Sequence, residues 1–346
     1  MFRRFLLTTF TLATATVLWA QGPQPAVRLD PISAIVDAFK THAIVALSEG
    51  RHNNEQGYAF RLALIRDPRF ATVANNIVVE SGSSKYQDVM DRFVRGESVP
   101  DVVLRGAWQD TTVPDPVWDV PMYEEFFRAV RDVNRSLPRE QQLRVLLGDP
   151  PFDWEKATRD EWLRVDRDGF AADLIRREVL AKQRRALVIY GNNHLSRLRS
   201  TLLVPRLLAT CETCIFNIWT HASGGELRML QEDIANWEAP AIALTRNTAL
   251  GAAPFEFYRP TGDQGPRMDE QFDAILYLGP ISSITIWRGE VSPSLCADAE
   301  YMKMRINRMA LVDPPGRDLP PGIQSPADRL RNYCATVTTR GEGGKQ

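Results

Sequence analysis

Short, unbroken apolar runs separated by helix-like stretches constrain the fold of this sequence more than any other feature. The first run, residues 43–48, is apolar up to Ser48, and a run of this length is typical of a strand buried on both faces of a sheet. We predict strands over residues 43–48, 76–80, 143–149, 186–190, 214–221, 241–245 and 273–278.

Strands of this kind, alternating with helices, predict an α/β fold in three layers, with a largely parallel central sheet and helices on both faces. In such a sheet the ligand site lies at the carboxyl ends of the strands. Three predicted strands end in a carboxylate, Glu49, Glu80 or Asp149, and His52 and His194 follow a few residues after two strands. The sequence therefore predicts a rim of acids and imidazoles at one edge of the sheet.

Each of these residues also has a purely structural interpretation. Glu49 could cap the next helix, Asp149 stands before two prolines in a common turn pattern, and His194 could cap the helix after it. Their joint placement after strand ends favours a site. His42 ends a predicted helix and is interpreted as structural, whereas His221 is a reserve candidate for the rim.

Two kinds of chemistry fit this residue set. Carboxylates beside an imidazole tune it as a general base near neutral pH, so His52 or His194 could activate a water molecule. The same histidines and carboxylates could instead hold a divalent metal. The sequence contains no Gly-x-Ser-x-Gly, no His-Glu-x-x-His, no P-loop and no dinucleotide-binding glycine motif, which argues against the common serine hydrolases, zincins and nucleotide enzymes.

Composition indicates an ordinary globular protein, because 44% of the 346 residues are hydrophobic and 25% are charged. The formal net charge of -1 gives no basic field that would attract nucleic acid, and no nucleic-acid partner is expected. A small-molecule substrate is the expected partner of the predicted rim. Residues 1–20 resemble a cleaved signal peptide, with Arg3 and Arg4 before an apolar stretch, and no later run is long enough to span a membrane. A periplasmic or secreted protein is therefore predicted.

Export makes the four cysteines candidates for disulfide bonds. We favour a bond between Cys296 and Cys334 and a local bond between Cys211 and Cys214. A single Cys-x-x-Cys pair does not favour a zinc site.

The chain divides into the signal segment, an α/β domain over residues 31–280, a C-terminal extension over residues 281–334 and a polar tail, residues 335–346, predicted to be disordered. Residues 96–121 lack a sustained period and are predicted to form a long loop or lid over the site. Four residues on the rim and in this lid are predicted to bind substrate: Arg51, Asn193, Arg105 and Trp108.

Four segments carry a resemblance to a known superfamily. Leu47-Ser48-Glu49-Gly50-Arg51-His52 resembles the Gly-Glu-x-x-His motif of the erythromycin esterase and ChaN-like superfamily, which includes the Tiki and TraB proteases. Val78-Val79-Glu80 is similar to the second motif of the esterase branch. Ile189-Tyr190-Gly191-Asn192-Asn193-His194 resembles the late motif, and Phe272-Asp273-Ala274-Ile275 resembles the final strand of the esterase branch.

This resemblance implies a mixed central sheet and an active centre at Glu49, His52, Glu80 and His194. In the esterase branch the histidine matching His52 is regarded as a base that activates water without metal. Tiki-like relatives use a metal, which the same four residues would hold here, and ChaN-like relatives bind haem. The first histidine of the esterase late motif is Gly191 or Asn192 in this sequence, and the compact region between the second and late motifs counts against a macrolide-sized substrate.

Overall fold

Every strand predicted from the apolar runs is present in the fold. The computed structural model describes residues 22–221, 234, 236–255, 266–287, 291–313 and 324–342, with side chains to residue 337. The predicted signal segment lies outside these residues. The strands are β1 Ile44–Ser48, β2 Asn76–Ser83, β3 Arg144–Asp149, β4 Ala186–Tyr190, β5 Ile215–His221, β6 Ala241–Leu244 and β7 Ala274–Tyr277.

The seven strands form one sheet in the order β3-β2-β4-β1-β5-β7-β6. Neighbouring strands are parallel except β6, which pairs antiparallel with β7 at the edge. The predicted fold class is confirmed: an α/β fold whose mixed central sheet is mostly parallel. Because β2, β4 and β1 are neighbours in the sheet, their carboxyl ends meet at one place on its edge.

Both faces of the sheet are buried, which explains the unbroken apolar runs. Along β1, Val45 and Leu47 point into one apolar cluster, and Ile44 and Ala46 point into the cluster on the other face. The helices that cover the two faces and the C-terminal region are Pro31–Ala38, Glu55–Arg66, Phe70–Val73, Gln87–Val94, Asp101–Gln109, Pro121–Arg135, Arg159–Leu163, Arg167–Ile175, Asn192–Leu195, Leu203–Leu208, Ala249–Ala252, Met268–Gln271, Pro293–Cys296, Ala299–Val312 and Pro326–Glu342. Among the residues described, no helix has the length and apolar character needed to cross a membrane.

The stretch predicted as a long loop contains the helix Asp101–Gln109, so a structureless lid over residues 96–121 is wrong. Leu104 and Trp108 of this helix are buried in the core, one helical turn apart. Short Pro-containing segments on both sides, and Gly106 within the helix, hid this period in the sequence.

After β3, the helices begin and end at different residues from those predicted. The sequence pattern predicts a long helical region that Asp153 caps and that runs towards Arg185, with Gly169 as an interruption, and this region is not observed. Instead a short helix ends at Leu163, and Asp166 caps a second helix by accepting a hydrogen bond from the backbone amide of Gly169. This cap places Arg167 and Asp168 in the first turn of that second helix.

The C-terminal extension contains its own small apolar cluster, formed by Val291, Cys296, Tyr301, Met309, Ala327, Leu330 and Cys334. Both expected cysteine pairs lie at disulfide distance, with Cα atoms 5.1 Å apart for Cys296 and Cys334 and 5.5 Å apart for Cys211 and Cys214. The first of these bonds ties the helix Pro326–Glu342 to the rest of the extension. That helix runs on to residue 342, into the stretch predicted as a disordered tail from residue 335.

A fully buried ion pair attaches the extension to the α/β domain. The Arg305 guanidinium donates to Asp119 through two nitrogens at 2.9 and 2.7 Å, and neither side chain is exposed to solvent. The hydroxyl of Tyr301 also donates to Asp119. A charge pair of this kind is costly to break on one side, because the remaining charge stays buried without compensation.

Replacing Asp119 by alanine is therefore expected to lower the free energy of unfolding by about 3–5 kcal/mol. The matched control is Asp132→Ala, which removes an exposed carboxylate that pairs with Arg135 at 2.8 Å and should cost at most about 1 kcal/mol. Chemical denaturation under non-reducing conditions measures both values. If the free energy of unfolding fell by the same small amount in both variants, the buried pair would not anchor the extension.

Candidate active site

The structure brings four of the predicted rim residues together at the carboxyl ends of β1, β2 and β4. Glu49 follows β1 directly, and His52 lies in the tight turn after it. Glu80 lies within β2, where the pairing with β3 shifts between Val79 and Ser83. His194 lies in the short helix Asn192–Leu195 just after β4.

The first pair of the site is Glu49 and His52. The Glu49 carboxylate lies 2.7 Å from Nδ1 of His52 and 3.4 Å from the guanidinium of Arg61. This contact assigns the Nδ1-protonated tautomer to neutral His52, because an ionised carboxylate only accepts. The Trp118 ring packs edge-on against the imidazole, with ring centroids 4.8 Å apart. His52 is thus oriented with Nε2 left available for proton transfer.

Gly191 shows where Nε2 of His52 faces. A Cβ atom added to Gly191 would lie 3.3 Å from Nε2 of His52 and 3.3 Å from Oε2 of Glu80. Both atoms therefore lie close against the Gly191 backbone. A side chain at this position would crowd both the His52 imidazole and the Glu80 carboxylate.

The Glu80 carboxylate contacts three partners. One carboxylate oxygen accepts from Arg167 at 2.9 Å and lies 3.2 Å from Nε2 of His194, and the other accepts from the Gly191 backbone amide at 2.7 Å. The second nitrogen of His194, Nδ1, is 2.9 Å from Asp168. Two carboxylates thus hold the His194 ring from opposite sides.

Asp149, predicted as catalytic, lies one layer behind the rim. Its carboxylate accepts from the backbone amide and hydroxyl of Thr112, both at 2.6 Å, and from Nε of Arg167 at 3.0 Å. Its side chain is fully buried. This arrangement does not support a direct catalytic role, and it makes Asp149 the partner that orients Arg167 toward Glu80.

The four predicted substrate-binding residues differ in their exposure to solvent. Arg51 and Asn193 are exposed at the rim, and Arg105 is half-buried on the helix Asp101–Gln109. Trp108 is 2% exposed and packs against Phe127, with ring centroids 5.9 Å apart. Its place in the core does not support the predicted binding role.

The electrostatics follow from the burial of opposite charges. Burial by itself disfavours the ionised form of Glu80, but the neighbouring His194, Arg167 and His52 outweigh it and hold the pKa of Glu80 well below its usual value. Burial would likewise lower the pKa of His194, yet Glu80 and Asp168 raise it to about 10. At neutral pH the site therefore contains an ionised Glu80 and a protonated His194.

His52 contacts one carboxylate directly, that of Glu49, whereas His194 contacts two. Burial works against its protonated form, while the hydrogen bond to Glu49 and the charge of Glu80 outweigh this effect, so the pKa of His52 is raised above 6.5. Burial raises the pKa of Asp149. His221, the reserve candidate, is buried beside Tyr277 at the end of β5, and burial lowers its pKa to about 4.

Glu49, His52 and Glu80 each offer a ligand atom, and these atoms lie within 4.8 Å of one another. The set is compatible with a divalent cation. Each carboxylate, however, already contacts an arginine, Arg61 for Glu49 and Arg167 for Glu80. A cation would have to compete with these contacts, so the donor set fits proton transfer better than metal binding.

Several residues that shape the site were not predicted from the sequence, namely Arg61, Trp118, Arg167 and Asp168. Arg167 and Asp168 are placed by the helix that Asp166 caps, and an Asp at the N-cap followed by an acidic residue in the first turn, Asp168, is the local signal for that start. Arg61 and Trp118 carry no such signal, because only the three-dimensional packing brings them to Glu49 and His52.

The fold and the site together define an α/β protein with a carboxylate–imidazole centre at the ends of its strands. No family model and no curated protein matches the sequence. A solved Bacillus cereus protein is similar with a TM-score of 0.50 and 10% identity over 74% of this chain and 95% of that one. At such identity the likeness shows the fold alone.

Two further solved structures belong to groups that the sequence motifs resemble. The erythromycin esterase EreC has a TM-score of 0.48 and 14% identity over 71% of this chain and 92% of its own. The haem-binding ChaN of Campylobacter jejuni has a TM-score of 0.38 and 15% identity over 57% of this chain and 88% of its own. Both scores lie below 0.5, so neither likeness carries a conclusion about activity.

The raised pKa of His194 makes stability depend on pH in a defined direction. A folded-state pKa of about 10, against about 6.5 in the unfolded chain, gives stability that is complete below pH 6.5 and lost as the pH rises toward 10. The difference in unfolding free energy between the wild type and His194→Gln should therefore shrink over this range. Glu80 does not interfere, because its lowered pKa affects stability only in acid. A constant difference from pH 6.5 to 10, measured by chemical denaturation, would contradict the assignment.

Proposed function

We propose that the protein is an exported esterase-like hydrolase in which His52 is the general base that activates water. The observation that carries the proposal is the contact of Glu49 with Nδ1 of His52, which leaves Nε2 facing the Gly191 backbone on the same side as Oε2 of Glu80. This is the arrangement a base needs, because one ring nitrogen is fixed by a carboxylate and the other is free to accept a proton.

In the proposed reaction a water molecule between His52 and Glu80 transfers a proton to Nε2 of His52 while its oxygen attacks the ester carbonyl carbon. Glu49 stabilises the imidazolium that forms. The protonated His194 and Arg167 supply positive charge beside Glu80 and the developing oxyanion. When the carbon–oxygen bond to the leaving group breaks, His52 returns its proton to the leaving alcohol, so the site is restored.

The two disulfide bonds support the proposed export of the protein, because such bonds persist in oxidising compartments. Residues 1–20 would be the signal peptide, and the mature chain would act in the periplasm or outside the cell on a small-molecule substrate.

A metal-dependent hydrolase, of the Tiki and TraB type, is the second candidate. The ligand atoms of Glu49, His52 and Glu80 favour it, since they lie within 4.8 Å of one another. A bound metal would act as a Lewis acid and lower the pKa of water. The ChaN-like haem-binding alternative rests on the sequence resemblance alone and stays a prediction.

The test of the proposed base is the variant His52→Ala, assayed on a panel of 4-nitrophenyl esters. Loss of the base should reduce kcat/KM by roughly 10²–10⁴-fold. In the wild type kcat/KM should rise with pH through a pKa above 6.5, because only neutral His52 can accept a proton. The matched control is His42→Ala, since His42 bonds to the Ala38 carbonyl at the end of a helix, away from the strand ends.

Full activity in His52→Ala would overturn the proposed base. Dialysis against EDTA separates the two candidates: activity that survives it supports the metal-free reaction, whereas activity that is lost and then restored by Zn²⁺ supports the metal-dependent one.

A further inference from the structure

A cavity of about 350 Å³ lies at the edge of the sheet opposite the candidate active site. Its wall includes Asn75, which directly precedes β2, Arg144, which begins β3, and Arg184, which lies two residues before β4. Because these three strands are parallel, their amino ends meet at this edge, just as their carboxyl ends meet at the site. The cavity is therefore separate from the proposed catalytic centre, and none of the described residues of that centre lines it.

Three arginines reach the cavity from separate segments of the chain. Arg95 directly follows the helix Gln87–Val94, Arg139 begins the short 3₁₀ turn Arg139–Gln141, and Arg184 lies before β4. Each is exposed to solvent, and within the described ranges none of the three forms an ion pair with a carboxylate. Three unpaired positive charges on one concave surface repel each other, and an anion between them would remove that repulsion.

The other charged residues of the wall do not cancel this positive charge. Arg144 is held by two carboxylates, Asp91 and Glu178, each at 2.8 Å, so its own charge is already compensated. Glu140 is the acidic residue that lines the cavity, and among the described residues it has no ion-pair partner. Three unpaired arginines against this one carboxylate leave an excess of two positive charges. The cavity therefore suits an anion that carries about two negative charges.

The type of cation points to a phosphate group. A guanidinium donates through a planar fork that matches the oxygens of phosphate, and arginine is always charged at neutral pH. A tetrahedral phosphate offers an oxygen to each of three arginines, whereas a carboxylate has only two oxygens. A phosphate monoester also carries about two negative charges near pH 7.

The volume limits the ligand to a small molecule. An apolar cavity of about 150 Å³ holds benzene, so a cavity of about 350 Å³ suits roughly 14 non-hydrogen atoms. This space admits one or two phosphate groups with a short organic part. Among the residues described, none of the large apolar side chains that are exposed to solvent lines the cavity. This favours a soluble phosphate over the phosphate of a lipid headgroup, which offers the same chemistry.

We propose that this cavity binds the phosphate groups of a small, soluble organic phosphate through Arg95, Arg139 and Arg184. The site does not depend on the proposed hydrolase function, because it lies at the other edge of the sheet. Glu140 opposes the bound anion, so it keeps the affinity below the highest value that the three arginines allow.

Isothermal titration calorimetry of the full chain with sodium pyrophosphate, in about 50 mM NaCl and without divalent cations, tests the proposal. Wild type should bind the anion at one site. Arg139→Gln and Arg184→Gln each remove one donor fork and should weaken binding about tenfold. Glu140→Gln removes the repelling charge and should strengthen binding. The matched control is Arg199→Gln, which removes an exposed arginine outside the cavity and should bind like the wild type.

Absence of saturable pyrophosphate binding, or equal binding by wild type, Arg139→Gln and Arg184→Gln, would overturn the anion site. Acetate that displaces pyrophosphate as readily as inorganic phosphate does would overturn the phosphate assignment. Co-sedimentation with vesicles distinguishes the two sources of phosphate. The protein should stay in solution with phosphatidic acid vesicles, and sedimentation that Arg184→Gln abolishes would assign the site to a lipid headgroup instead of a soluble molecule.

Discussion

The buried charge of Glu80 is the constraint on which the site depends. A carboxylate taken out of water is strongly destabilising unless cations and hydrogen-bond donors surround it. Here Arg167, His194 and the Gly191 amide supply these contacts from two different segments that follow β3 and β4. Each segment must therefore reach its native position before Glu80 is compensated, and this requirement links the fold of the sheet edge to the chemistry of the site.

The need to compensate the buried charge of Glu80 also explains the polar contacts behind the rim. Arg167 serves Glu80 and Asp149 together, so its guanidinium is held between two carboxylates. Asp149 in turn is fixed by Thr112, which connects the end of β3 to the segment before Trp118. The Trp118 ring then contacts His52, and the neighbouring Asp119 pairs with Arg305 of the extension. Side chains from distant parts of the chain thus fix the imidazole on several sides.

Sequence alone was sufficient to predict a strand and its end where a run of apolar residues indicates burial. The apolar run before Glu49 predicted both β1 and the position of the acid, because a parallel strand buried on both faces has no polar residue until it reaches the rim. Sequence alone was insufficient where three-dimensional packing determines the surroundings of a residue. Trp108 is predicted as a lid residue because its short helix has weak flanking signals. Arg167 escapes prediction because the sequence pattern places the helix start at Asp153, whereas the cap is Asp166. Asp149 ends a strand like the true rim residues, and only its bonds to Thr112 show that it lies behind them.

Glu49 fixes His52 as the Nδ1-protonated tautomer, and Nε2 then faces the Gly191 backbone. Nitrogen-15 NMR of the imidazole, with His52 assigned by comparison with the His52→Ala variant, reads the tautomer directly. Above the pKa of His52 we expect a protonated Nδ1 and an unprotonated Nε2, and Glu49→Gln should weaken that preference. A protonated Nε2 in the wild type, or a tautomer that Glu49→Gln leaves unchanged, would contradict the account.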